Sequence, residues 1–317
     1  MGRYAIRRLL IAVPTLLALS FLIFTLVSNT PGDPAAELAR RRDSRNEVSQ
    51  AQIEQVRHEI GLDRPFLIQY GDWLKGAVHG DLGQSFVRQT SVAREITQRV
   101  PASAELAGAA FAVILLLSVP LGVAAAMLHR QWADHMLRLL SLLGASVPGF
   151  FLAYLLIILF ATRLGLLPVA GRQGFSSVLL PAFTLAVGPT AVVARLLRSS
   201  LLEVFGEDYM CAARGKGLGW LTVVLHHGLP NAAVPVVTYL GTVLGALLEG
   251  VVITEVIFAW PGLGQLTVQS ITGRDYPMIQ GIVLFAGLVY IVMNLLVDLS
   301  YRLLDPRLRL EIALEHV

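Results

Sequence analysis

Residues 211–230 read Cys-Ala-Ala-Arg-Gly-Lys-Gly-Leu-Gly-Trp-Leu-Thr-Val-Val-Leu-His-His-Gly-Leu-Pro. This small, basic, polar segment is caught between long apolar runs. Its small side chains let another surface approach closely, and Arg214 and Lys216 favour the cytoplasmic side of a membrane. It has the make-up of a loop gripped from the cytoplasm by a partner.

Composition outside the segment points to lipid. Of 317 residues, 55% are hydrophobic and 15% charged, whereas soluble domains average about 25% charged. The net charge of +3 comes from basic residues that flank apolar spans, so it reports topology and not nucleic-acid binding. A single cysteine, Cys211, excludes an internal disulfide and any multi-cysteine metal site. With no ligand set nearby, it reads as a small packing residue.

A membrane helix needs about 20 mostly apolar residues. Six runs qualify, at roughly 5–27, 102–127, 136–162, 178–200, 231–257 and 278–301. The first is longer than the apolar region of a signal peptide and lacks its small-residue cleavage site, so it reads as an uncleaved anchor. Pro14, Pro120, Pro148, Pro181, Pro189 and Pro235 lie in or near these runs and predict kinked, mutually packed helices.

Loop charge predicts the orientation. Arg3, Arg7, Arg8, Arg130, Arg138, Arg195, Arg198, Arg214, Lys216, Arg302, Arg307 and Arg309 fall on one side, against Arg163, Arg172 and Arg274 in the short loops opposite. Both termini are therefore expected in the cytoplasm. The expected organisation is a first span at 1–27, an extracytoplasmic domain at 28–101, a membrane core at 102–309 with a cytoplasmic loop at 201–230, and a tail at 310–317. Within 28–101, Val48, Ile53, Val56 and Ile60 are spaced as on a helix ending at Gly61. Pro65 to Trp73 is amphipathic, and Gly80-Asp-Leu-Gly-Gln-Ser85 is a turn. Two or three short helices should cap the outer face, as a lid on the spans, a docking surface for an external partner, or both.

Catalytic signatures are missing. Gly215-Lys216 is followed by Gly217, and Met210 stands where a phosphate-binding loop needs glycine. No His-Glu-x-x-His or Gly-x-Ser-x-Gly is present. Neighbouring His226 and His227 would point about 100° apart on a helix, which suits an interface better than one metal ion. The chain is not expected to be an enzyme, to bind a metal or to hold a cofactor of its own. Glu249 and Glu255 fall inside the fifth run, where a carboxylate faces a water-filled path or a partner. Glu249, nearer the middle, is a candidate for lining a path or for a structural bond. Glu255, near the outer end, is a path candidate that suits a structural hydrogen bond better. Asp298 and Arg302, four apart, fit a local ion pair.

Cys211-Ala-Ala-Arg-Gly-Lys-Gly217, then His227 and Leu229-Pro230, resembles the cytoplasmic "EAA" loop of ATP-binding-cassette importer permeases. Cys211 stands where that pattern often has an acid, and His227 where it often has isoleucine. Tyr4 to Arg8, Pro31-Gly-Asp-Pro34, Gly61-Leu-Asp-Arg-Pro65, Gly80-Asp-Leu-Gly-x-Ser85, Phe258-Ala-Trp-Pro-Gly-Leu-Gly264, Arg274-Asp-Tyr-Pro277 and Asp305-Pro-Arg307 are similar to the peptide/nickel permeases, in particular the first permease subunit. The resemblance implies an all-α membrane protein with six transmembrane helices, the type I importer permease fold, and a helical extracytoplasmic domain between helices 1 and 2. It implies a second homologous permease, two ATPase subunits that bind ATP and magnesium, an extracytoplasmic solute-binding protein, and surrounding membrane lipid. It assigns ATPase coupling to Cys211, Ala212, Ala213, Arg214, Gly215, Lys216, Gly217, Leu218, Leu229 and Pro230, with a coupling helix at about 212–222. The implied cargo is a dipeptide or oligopeptide, nickel or a metal chelate, or glutathione. A stand-alone ion-coupled carrier is the alternative, but the chain has no obvious internal repeat.

Overall fold

The computed structural model describes residues 2–30, 32–42 and 48–304, with the backbone alone described at 2–9, 41–42, 248–250 and 298–304. Among these residues every regular element is helical, and the one isolated bridge joins Gln84 to Ser91. The helices are α1 Gly2–Ser28, α2 Pro34–Arg42, α3 Gln50–Glu59, α4 Phe66–Val78, α5 Val92–Met127, α6 Trp132–Ser146, α7 Gly149–Leu156, α8 Phe175–Val204, α9 Asp208–Gly215, α10 Trp220–Val223, α11 Leu229–Ile257, α12 Leu263–Thr272 and α13 Tyr276–Leu304. They divide into one unit of Met1–Ala102 with Pro261–Val292, and another of Ser103–Trp260 with Met293–Val317.

In the first unit three short helices follow α1; α3 and α4 fall where the apolar spacing places helices, and α2 has no counterpart in that spacing. Helix α3 opens with a reciprocal capping box in which Ser49 and Gln52 each bond the other's backbone N–H, worth about 1 kcal/mol. It closes at Ile60 before Gly61, whose φ is +72°. Val56 is buried with Ala35, Leu38 and Ala39 of α2. Helix α4 lays Phe66, Tyr70 and Trp73 on Phe21 and Phe24 of α1, with ring centroids 5.3–5.9 Å apart.

The Gly80–Ser85 turn is pinned to the α12–α13 junction by one buried carboxylate. Asp275 accepts from Ser85 Oγ at 2.5 Å and from the Phe86 backbone N–H at 3.0 Å. Ser85 Oγ in turn accepts from the Arg88 backbone N–H at 2.8 Å. Two motifs nearly two hundred residues apart are thus halves of one hydrogen-bonded staple. Beside it, Val92 and Ile96 of α5 bury against Leu266 of α12 and Met278 and Ile282 of α13.

In the second unit α8 is the central helix, buried along one side from Ser177 to Leu201 and packed by α6, α7 and α11. Close approach rests on small residues. A Cβ at Gly122 of α5 would lie 2.9 Å from the Ala194 carbonyl oxygen, and one at Gly144 of α6 would lie 3.3 Å from Val187. Helix α8 continues through Pro181 and Pro189, and α11 through Pro235.

The third apolar run departs from expectation. The sequence predicts a single span at 136–162, but α6 and α7 are separated at Val147-Pro148 and bent by 102°. Proline disfavours helical geometry in the residue before it, and Val147 is extended at φ −76°, ψ 123°. Pro148 then starts α7, which runs into a π-helical turn at Ile157–Arg163. Among the described residues, five helices are long and apolar enough to cross a membrane, or up to six if this bent pair counts as one.

One buried carboxylate ties α6 to α8 and to the turn that follows α5. Asp134, fully buried, takes a two-pronged bond from Arg198, with Nε to Oδ1 and Nη2 to Oδ2 both at 2.7 Å. The Arg130 backbone N–H adds a bond at 3.3 Å, and Arg138 lies 3.5 Å away. Asp134→Ala would leave Arg198, itself 14% exposed, without its counterion, and stranding one partner of a buried pair costs about 3–5 kcal/mol. We expect the purified Asp134→Ala chain in detergent to unfold at a clearly lower temperature than wild type. Equal unfolding temperatures would show that the cluster contributes no stability.

Candidate functional site

The segment quoted first folds into a hairpin. Helix α8 stops at Val204, the chain turns at Phe205-Gly206, and α9 begins after the extended residue Glu207. Glu207 and Asp208 at this start, and Arg214 in the last turn, match the helix dipole in sign. Gly217, with φ +83° and its N–H bonded to the Arg214 carbonyl at 2.9 Å, ends the helix. A left-handed residue just past a helix end favours glycine, because a Cβ there crowds the following carbonyl oxygen. Gly219 is extended, and α10 begins at Trp220.

The helix expected at 212–222 is therefore displaced and shorter. It runs Asp208–Gly215, and residues 216–219 form a turn. Acidic residues at its start set one boundary, and the left-handed glycine sets the other.

The hairpin has its own core. Met210 and Ala213 bury against Val223, flanked by Val204, Phe205 and Trp220. The Phe205 and Trp220 rings meet edge-on at 4.8 Å, and the Arg214 guanidinium sits 5.1 Å from the Trp220 ring centre. With 210 and 213 turned inward, Cys211, Ala212, Gly215 and Lys216 are turned outward. Cys211 is exposed, so its expected packing role is corrected, for α9 presents neighbouring positions about 100° apart.

The ten residues expected to act in coupling separate by position. Ala213 belongs to the hairpin core, whereas Cys211, Ala212 and Arg214 to Leu218 are exposed. Leu229 and Pro230 open α11, beyond a π-helical turn at Val224–Gly228. His226 lies in that turn with Nδ1 3.2 Å from the Thr222 carbonyl oxygen, and both His226 and His227 are exposed. The same outward surface carries Tyr209, Leu218, Leu221 and Leu225, each at least 41% exposed. Leu218 is among the residues expected from sequence, but Tyr209, Leu221 and Leu225 are not. Their common signal is an apolar residue that the hairpin core leaves out. Partial desolvation and the neighbouring Glu207 carboxylate push the Tyr209 phenol up from its ordinary value.

Glu255 is fully buried near the end of α11 and accepts from Ser103 Oγ of α5 at 2.5 Å. Close by, Arg172 pairs with Glu105 at 2.5 Å and lies 6.0 Å from the Trp260 ring centre. The Gly171 N–H bonds the Phe258 carbonyl oxygen at 2.8 Å. Glu255 is thus closed to solvent, whereas the Arg172–Glu105 pair beside it is 44% and 39% exposed. Glu249 lies within α11, but its side chain is outside the described residues, as are the Asp298–Arg302 pair and the Asp305–Arg307 motif.

A model of the binding-protein-dependent transport system inner membrane component matches residues 118–310. A second, for the N-terminal part of such membrane components, matches residues 1–107. A Brucella abortus (strain 2308) protein named as a peptide transport system permease is 40% identical over 312 residues, covering 96% of this chain and 98% of its own. The glutathione transport system permease protein GsiC of Escherichia coli (strain K12) is 40% identical over 309 residues, covering 98% and 99%. The methionine ABC transporter MetNI, solved in inward-facing conformations, is similar in fold at a TM-score of 0.56 and 19% identity, over 66% of this chain and 96% of that one. An amino acid ABC transporter solved with histidines gives 0.52 and 17%, over 66% and 94%. Full-length matches in sequence and a shared helical core lead to one conclusion: the chain belongs to the family of binding-protein-dependent transport system inner membrane components, the permeases of ABC importers.

Proposed function

We propose that this chain is one of two homologous permease subunits of an ATP-driven peptide importer in a bacterial inner membrane. The observation that carries the reading is the hairpin at 208–223, a self-packed unit with an unpartnered outward surface of small and apolar residues. Both termini and the hairpin lie in the cytoplasm, in line with the positive charge of those segments. Residues 28–101 form the extracytoplasmic cap that meets a solute-binding protein.

Each of two ATPase subunits holds one hairpin in a groove, through Cys211, Ala212, Gly215, Lys216 and Leu218. Closure of the ATPases on ATP and magnesium draws the hairpins together and rocks the helices joined to them, the rigid-body mode of domain switching. The hairpin is stiff enough for this because Met210, Ala213 and Val223 fix its two arms to each other. A peptide cargo is supported by the names of the relatives that match over their whole length, and nickel remains a second cargo to be tested against it.

Ala212 is exposed at the centre of the docking surface, so Ala212→Trp adds bulk without touching the hairpin core. In the complex reconstituted with its binding protein, we expect cargo-stimulated ATP hydrolysis to be lost. The lost docking energy should be about 2 kcal/mol or more, with normal amounts of the permease in the membrane. Normal stimulation by a peptide, glutathione or nickel in that variant would remove the docking assignment.

Glu249 is proposed to line the path. Glu249→Gln should lower transport of a cationic cargo while basal ATP hydrolysis stays near wild type, measured in the same proteoliposomes. Unchanged transport would place Glu249 among the structural residues.

A further inference from the structure

Helix α4 has a broad apolar arc, of which α1 covers only part. Phe66, Tyr70 and Trp73 meet Phe21 and Phe24. Next to them, Leu67, Gly71, Leu74 and Val78 fall in a stripe roughly 60° wide at 100° per residue. Leu67 and Val78 are 70% and 77% exposed. Asp72 lies about 100° beyond the stripe's edge at Gly71, with its Oδ2 3.0 Å from Arg64 Nη1 and both side chains more than half exposed. Lys75 flanks the stripe about 40° beyond that edge.

The contact positions on α1 set a depth. Its apolar span runs Leu10–Ser28, and Phe24 and Phe21 precede Ser28 by roughly 6 and 10 Å along the axis at 1.5 Å per residue. The Tyr70 hydroxyl reaches further, lying 2.8 Å from Ser20 Oγ and donating to the Leu17 carbonyl at 3.4 Å. Ser20 is almost wholly buried by this arrangement. A helix bound to the outside of the membrane would meet α1 beyond its apolar span. This one meets it within the span.

We propose that α4 lies in the outer leaflet beside α1, its stripe of Leu67, Gly71, Leu74 and Val78 against lipid acyl chains. Amphipathic helices of this kind sink their apolar face roughly 5–10 Å below the headgroups, the depth of the Phe21 and Phe24 contacts. Continuity favours lipid as the occupant, because Leu22 and Leu26 on α1 are 56% and 59% exposed in the span that lipid surrounds. The inference rests on the orientation given above, with the end of α1 at Ser28 outward. It adds that the cap is seated in lipid through α4.

The test uses nitroxide accessibility in the full transporter held in nanodiscs of phosphatidylcholine and phosphatidylglycerol. With Cys211→Ser as background, single probes replace Leu67, Val78, Asp72 and, as the reference in α1, Leu22. Lipid contact predicts high collision with oxygen and low collision with a water-soluble nickel chelate at 67 and 78, matching 22, and the reverse at 72. Strong chelate collision at 67 and 78 overturns the proposal by placing the stripe in water. Weak collision with both reagents overturns it by placing the stripe against another protein. Strong chelate collision at 22 would instead sink the assignment of α1 as a membrane span, so the two failures are distinct.

Discussion

The close approach of α5 and α6 to α8 is the constraint on which the membrane core depends. Lipid gives no hydrophobic reward for bringing apolar helices together, so association there relies on contact between surfaces that fit. Gly122 and Gly144 supply that fit by leaving no side chain between the helices. At one end of the same interface, the Arg198 guanidinium grips Asp134 with two bonds of equal length. Ridge contact and ion pair together hold α8 in one position, and the hairpin follows directly from the end of α8. Under the proposed coupling, a surface moved by a partner needs such a base, since a loose one would absorb the displacement.

The short helices α2 to α4 obey a different physics. Their cores are small, with four residues of α2 and α3 at the centre, and they rely on hydrogen-bonded fixtures. Ser49 and Gln52 cap α3 reciprocally. Asp275 gathers the Gly80–Ser85 turn. Arg57 meets Asp33 at 2.6 Å. Polar staples substitute for area where there is little area to bury.

The parts legible in the sequence were those written in local pattern. The bounds of α3 follow from an apolar spacing and a glycine, and the long spans follow from length alone. The Val147 break was not legible, because Pro148 sits among prolines that the other helices accommodate, and only the backbone shows which of them ends a helix. The hairpin was seen as a motif but misplaced, since its start is fixed by acids ahead of the motif and its stop by the left-handed Gly217. Asp134 was hidden by its neighbours: Arg130 and Arg138, four residues to either side, count as topology signals, and its main partner, Arg198, is far along the chain. Pairs separated by 64 residues leave no trace in periodicity.

The π-helical turn at Val224–Gly228 joins the hairpin to α11 without interrupting the helical path. Such a turn is in effect one residue inserted into an ordinary helix. It sets the angular phase between the two segments it joins. Losing one residue there would let the backbone close as a plain α-helix while rotating everything beyond it by about 100°. The wheel position of every residue in α11 is thus counted from that extra residue, as the teeth of a gear are counted from its key.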